Sequence, residues 1–235
     1  MSRRMRTLKA ALAVTAMLVA GGAWLQNHTG ATQSAVAAAD AGPEAAAAVD
    51  RMLGQLTVVE KLPDLSGYQR GCKKSQKCVY GPAWQDPTNH SGCDTRSRIL
   101  AAQLTRLQFK PGTRGCKVVE GVLDPDPYSG QTMTLTPGDP SGIEIDHIFA
   151  LQRNWNAGGA QWDLRKRQIF ANDIDNLLAV NGRLNESKGS AGLEWLPPNT
   201  NFRCTYVQRY LAIAVKYQLP VTRSDQNIAR TTCRA

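Results

Sequence analysis

The chain has 235 residues, 42% of them hydrophobic, with 28 Lys and Arg against 19 Asp and Glu and a formal net charge of +9. That is an ordinary composition for one or two globular domains with enough apolar residues for a core. Three histidines occur, His28, His90 and His147, and His28 lies in an export-like N-terminal segment, which excludes a three-His zinc site in the mature protein.

Residues 1–39 read as an export segment. Arg3, Arg4, Arg6 and Lys9 form a positive n-region, Ala10–Ala20 an apolar h-region, and Ala37-Ala38-Ala39 a small-residue cleavage site. The apolar run is short for a membrane span. A cleaved signal peptide is therefore expected over an uncleaved anchor, and with it a secreted or extracytoplasmic protein without a stable membrane partner. The Arg3-Arg4 pair is in keeping with twin-arginine export. The segment holds four basic and no acidic residues, so its loss takes the charge from +9 to +5. That basic excess suits a polyanionic partner through attraction to phosphate.

Residues 40–50 are Ala-rich around Gly42-Pro43 and read as a linker, leaving 51–235 as a single domain. Val49, Met52, Leu53 and Leu56 predict a helix over Val49–Glu60 that packs in the core. Ile99, Leu100, Leu104 and Leu107 predict a helix over Thr95–Leu107, with Asp94 placed to cap it. Lys117–Leu123 and Thr132–Leu135 predict two strands around the turn Asp124–Gly130, a hairpin leading to Ile143. In the excursion Gln152–Ala171, part of it helical, Trp155 and Trp162 belong to the core, while Arg165-Lys166-Arg167 suits either a phosphate groove or a solvated face. Apolar residues at Tyr206, Val207, Tyr210, Leu211, Ala214 and Tyr217 predict a long helix over Phe202–Leu219.

Six cysteines, Cys72, Cys78, Cys93, Cys116, Cys204 and Cys233, all follow the export segment. An even number in an exported chain predicts three disulfides, and proximity in sequence alone suggests Cys72–Cys78, Cys93–Cys116 and Cys204–Cys233 among the 15 pairings that six cysteines allow. No Cys-x-x-Cys pair points to a thiolate metal site. Between the first two lies a basic loop with Lys73, Lys74 and Lys77, read as a solvated loop in preference to a nucleic-acid contact.

The chemistry concentrates between Gly142 and Gly192. Glu144-Ile-Asp-His147 ends one β-branched run, Asn176 opens a second through Val180, and Asn185 and Lys188 follow in a short helix that Asn181 caps. Alternation along a strand puts Glu144 and Asp146 on one face, and i,i+3 spacing turns Asn185 and Lys188 the same way. Asp146 and Asn185 are hard oxygen donors suited to Mg²⁺, with Mn²⁺ a second choice. His147 is the candidate base for an attacking water, oriented by a backbone carbonyl or amide near Asn176.

Asp146-His147-Ile148, Asn176-Leu177 and Asn185-Glu-Ser-Lys188 together resemble the ββα-metal finger of HNH endonucleases, in the variant whose last His is replaced by Asn. Gly67-Tyr-Gln-Arg70, Gly81-Pro-Ala-Trp84, Gly92–Arg96, Asp126-Pro-Tyr-Ser-Gly130, Phe170–Asp173, Trp195–Pro198 and Phe202–Tyr206 are similar to blocks of secreted bacterial proteins of that family. The resemblance runs from about Leu56 to Cys233 and is poorest at the loop 71–78. It implies an α+β fold: an HNH-like ββα-metal core at about 142–192, surrounding helices and a β-hairpin, stabilised by disulfides. It implies His147 as general base, Asp146 and Asn185 holding one divalent metal, and Asn176 bracing the finger. Arg96 suits a clamp on the scissile phosphate or a structural salt bridge with Asp94, and Lys188 suits phosphate stabilisation or an ion pair closing the finger. The expected function is metal-dependent hydrolysis of DNA, RNA being a further substrate, with little sequence specificity and no partner protein. The alternative is a secreted binding protein for nucleic acid or the cell envelope that keeps the fold without turnover. No Gly-x-Ser-x-Gly elbow occurs.

Overall fold

The structure, a computed structural model, describes residues 42–138 and 142–234, and the export segment expected at 1–39 lies outside them. The first described element corrects the linker expected at 40–50: helix α1 spans Pro43–Leu53. Pro43 and Glu44 suit its first turn, and the alanines that follow are the strongest helix formers. Ala45, Val49 and Leu53 bury one face of it.

Helix α2, Thr95–Gln103, starts where Asp94 accepts from the Ser97 N–H. It ends before the expected Leu107, because Leu104 is already extended and Thr105–Phe109 forms a strand. Strands β2 (Thr105–Phe109), β3 (Val118–Leu123) and β4 (Met133–Leu135) make an antiparallel sheet in that order; short β1 (Val58–Val59) precedes them. Pairing with β3 outweighs the helical spacing of the leucines, a tertiary override of local preference.

Strand β5 (Ile143–His147) pairs antiparallel with β6 (Leu177–Asn181), in a register running from Ile143 opposite Asn181 to His147 opposite Leu177. The excursion between them carries α3 (Leu151–Asn156) and α4 (Leu164–Ala171). Helix α5 (Gly182–Lys188) follows β6 at once, capped by Asn181, and lies against β5. A side chain at Gly182 would press on the Glu144 Cγ, 3.1 Å from an added Cβ, and on the Gly142 carbonyl at 3.2 Å, so the helix start approaches the hairpin closely only because that residue is glycine.

The hairpin separates two cores. Ile143, Ile145, Leu177 and Ala179 face α2 and β3 with Ile99, Leu100, Leu104 and Val118. Leu178 and Val180 join the larger core around α6 (Thr200–Tyr217), with Phe149, Tyr206, Tyr210 and Leu211. Strand β7 (Val221–Thr222) runs parallel to β1 and leads into α7 (Arg223–Thr232), which packs on α6 and α1. Asp225 of α7 is fully buried; it accepts from Arg153 at 2.5 Å, from Leu193 N at 2.9 Å and from Thr222 N at 2.9 Å.

The disulfides join Cys72 to Cys78, Cys93 to Cys116 and Cys204 to Cys233. The last ties α6 to the end of α7 across 29 residues of sequence. Loop-closure entropy puts such a crosslink at about 3–4 kcal/mol. The Cys204→Ala/Cys233→Ala protein is expected to lose about that much in urea unfolding, with a higher m-value because the unfolded chain is freed to expand, while Cys72→Ala/Cys78→Ala, opening a much shorter loop, loses about 2 kcal/mol.

Candidate active site

Period-two alternation along β5 sends Asp146 and His147 to opposite faces of the hairpin. Asp146 shares its face with Glu144 and meets α5; His147 shares the other with Ile143 and Ile145.

On the α5 face, two strand residues two apart meet two helix residues three apart. Asn185 Nδ2 donates to Glu144 Oε2 at 2.7 Å, and Lys188 Nζ donates to Asp146 Oδ1 at 2.9 Å. The same ammonium donates to the His147 carbonyl, also at 2.9 Å. The other Asp146 oxygen accepts from the Tyr128 hydroxyl at 2.5 Å. Asp146 is 5% exposed and Lys188 2%. Burial, followed by the Asp146 charge, holds the Tyr128 phenol well above its ordinary range, so it stays a donor.

As placed, Asp146 and Asn185 do not fit a shared divalent ion. Both Asp146 oxygens are already engaged, one of them by a cation, and Asn185 is turned to Glu144. Lys188 forms an ion pair with Asp146 that closes the finger. The Arg96 guanidinium donates to the Ile143 carbonyl at 3.3 Å, with the Glu144 and Asp94 charges nearby. It holds the start of β5 and is not among the residues around His147.

On the opposite face, His147 Nε2 lies 2.8 Å from the Ala171 carbonyl oxygen. A carbonyl only accepts, so Nε2 carries the proton and Nδ1 keeps the lone pair. The orienting carbonyl comes from the end of α4, a few residues before the expected position near Asn176. Asn176 instead brackets the turn after β5: its amide accepts from Phe149 N at 2.8 Å and donates to Phe149 O at 3.1 Å, and its carbonyl accepts from Ile148 N at 2.9 Å. Trp84 stacks on the imidazole, with centroids 5.8 Å apart and planes 11° from parallel. Burial, then the Arg70 charge, push the His147 pKa down to about 4, against the opposing pull of the Ala171 carbonyl and Asp146. At neutral pH the ring is therefore neutral, with its lone pair on Nδ1. It lines a cleft of about 400 Å³ together with Arg70, Tyr80, Trp84 and Asn172.

Residues 94–228 match the family described as the C-terminal domain of GmrSD restriction endonucleases. The match covers more than half of the chain. The chain belongs to this family. An uncharacterized secreted protein of Arthroderma benhamiae is 34% identical over 138 residues, which are 57% of this chain and 64% of the relative, so the match spans less than two thirds of that relative. No solved structure matches the chain at a significant level. A nuclease-family domain with three disulfides and a secreted relative is a protein of the extracytoplasmic side. His147, Asp146, Asn176, Asn185, Lys188 and Arg96 all lie inside the family match, whereas Arg70, Tyr80 and Trp84 precede it.

Tyr128, Trp84, Arg70 and the Ala171 carbonyl were not singled out as site groups from sequence. Trp84, Arg70 and Tyr128 nonetheless lie in blocks similar to the HNH-family proteins, which was the signal available. Ala171 lies in the similar block Phe170–Asp173, but a backbone carbonyl has no side-chain signature, since any residue supplies one.

Two outcomes follow. His147 binds its proton less tightly folded than unfolded, so the unfolded state holds more protons between about pH 6.5 and 4. Its stabilisation is complete above that window and lost as pH falls through it, by roughly 3 kcal/mol in all; in urea titrations at pH 7 and pH 4.5, the His147→Asn protein should show a correspondingly smaller pH slope. Breaking the buried pair by Lys188→Met leaves Asp146 uncompensated and should cost about 3–5 kcal/mol, with the Lys188→Met/Asp146→Asn double mutant losing much less than the sum of the two single changes.

Proposed function

We propose that the protein is an exported nuclease that hydrolyses phosphodiester bonds of DNA, RNA being a further substrate, with His147 as general base. The observation that carries this reading is the fixed tautomer: Nε2 is held by the Ala171 carbonyl, which leaves the lone pair on Nδ1 of a ring that lines the same cleft as Arg70. Membership of the GmrSD C-terminal family supports the substrate class.

The reaction is written with the chain's own groups. A water oxygen attacks phosphorus while its proton passes to His147 Nδ1. The bond from phosphorus to the leaving oxygen breaks, and that oxygen takes a proton from solvent. Negative charge building on the phosphate is met by the Arg70 guanidinium, which suits phosphate oxygens. Trp84 and the Ala171 carbonyl keep the imidazole in place and limit water around it. The Mg²⁺ or Mn²⁺ ion expected on Asp146 and Asn185 enters no step, because those side chains are engaged with Lys188, Tyr128 and Glu144.

That same engagement favours the second reading, a nucleic-acid- or envelope-binding protein that keeps the fold without turnover. Plasmid digestion by the oxidised protein separates the two. Nicking is expected, and His147→Ala should reduce it by about 10²-fold or more, the usual contribution of a general base. Parallel reactions in Mg²⁺, in Mn²⁺ and in EDTA tell whether a divalent ion displaces Lys188 from Asp146. No cleavage of DNA or RNA under any of these conditions overturns the nuclease reading in favour of the binding one, and cleavage untouched by the mutation removes His147 from the reaction.

A further inference from the structure

Most of the cleft beside His147 is built by a segment that the family match does not include. Arg70, Cys72, Tyr80 and Trp84 face His147 and Asn172 across it, and the match begins only at residue 94. The segment is held rigidly. Cys78 N donates to Gly71 O at 3.0 Å beside the Cys72–Cys78 disulfide, Lys77 N donates to Gln69 Oε1 at 3.0 Å, and Val79 N donates to Gln69 O at 3.1 Å. Arg167 Nε anchors the Val79 carbonyl at 2.5 Å, and the Tyr80 hydroxyl reaches Leu151 O at 2.9 Å and Asn154 Oδ1 at 2.6 Å. Gly81, at φ +68, sits where an added Cβ would meet the Gln168 side chain. Trp84 holds φ +64, a backbone region that a bulky residue adopts only when its surroundings impose it, and its ring is thereby laid on His147.

The chemistry of this wall is one-sided. From Arg70 to Lys77 there are four basic residues and no acidic one. Lys73, Lys74 and Lys77 are exposed, and among the described residues none of them makes an ion pair. Asn172, 3% exposed, lines the cleft; its Nδ2 is used by Gln85 O and Gln168 O, while its Oδ1 is buried without a hydrogen-bond partner among the described residues. An unpartnered acceptor of that kind suits a sugar hydroxyl or a base amine.

We propose that the disulfide-closed segment Arg70–Trp84 is the substrate-binding wall of this nuclease: Arg70, Lys73, Lys74 and Lys77 hold successive phosphates of a DNA strand whose scissile bond lies at His147. The proposal rests on the nuclease reading above. It assigns substrate capture to residues outside the family domain and hydrolysis to residues inside it. Rigid closure of the loop by its disulfide limits the entropy lost when the lysines engage phosphates.

Binding of a fluorescent single-stranded DNA oligonucleotide to the oxidised protein, followed across salt concentrations, tests it. The Lys73→Gln/Lys74→Gln/Lys77→Gln protein is expected to bind about tenfold or more weaker at low salt, with a log–log salt slope shallower by about 2, three contacts at about 0.7 each on a single strand. A control removes the same charge elsewhere, as Lys110→Gln/Arg114→Gln/Lys117→Gln in the exposed β2–β3 turn, and should leave the slope nearly unchanged. Equal loss in both triple variants means net charge alone acts and overturns the proposal. Unchanged binding by the first variant, in a wild-type background that binds and cleaves, overturns it too while leaving the nuclease reading intact. Wild-type protein that neither binds nor cleaves DNA overturns both.

Discussion

The Asp146 carboxylate is the point on which the finger depends. One oxygen takes the Lys188 ammonium and the other the Tyr128 hydroxyl, while that ammonium also holds the His147 carbonyl. Three parts of the chain are thereby locked together: the end of β5, the end of α5 and the turn after β3. A buried carboxylate without such partners costs several kcal/mol, so the three either come together or the hairpin does not bury. Once they do, the backbone at 146–147 has little freedom, and the imidazole is aimed from a fixed root.

The fixed root separates two jobs by strand geometry. Adjacent residues on a strand face opposite ways, so the acid that secures the finger and the candidate base beside the cleft are neighbours in sequence and lie back to back in space. Asn176 holds the turn just beyond His147 with a bidentate amide contact to Phe149, and the end of α4 supplies the carbonyl that sets the tautomer. The Gln103 side chain, pairing with Leu177 O and Ala179 N, occupies the outer edge of β6 much as a strand would. Each of these uses an amide or carbonyl in place of a further charge, while burial and the Arg70 charge hold the ring neutral against the pull of the Ala171 carbonyl.

Much of this was legible in sequence because it is local. Period-two alternation placed β5 and β6, and the i,i+3 spacing placed Asn185 and Lys188 on one helix face, where the structure has them against Glu144 and Asp146. Where local signals conflicted, sequence reasoning erred in the way expected of it. The leucines after Gln103 suggested a longer helix, yet β3 offered a ladder partner, and the alanines after Pro43 suggested a linker, yet α6 and α7 offered an apolar surface to cover.

The sequence by itself determined an exported, disulfide-bearing α+β chain and the strand, strand, helix order in which Asp146, His147, Asn176, Asn185 and Lys188 lie. Only the tertiary structure decided what those groups touch. Tyr128 and Lys188 are 18 and 42 residues from Asp146 along the chain, and Arg70 and Trp84 reach His147 from outside the family domain. A carboxylate suited by type to a metal becomes a buried ion-pair partner, and the pKa of a histidine falls to about 4, only when packing removes water. Desolvation is a property of the folded surroundings, and no residue carries it in its own identity.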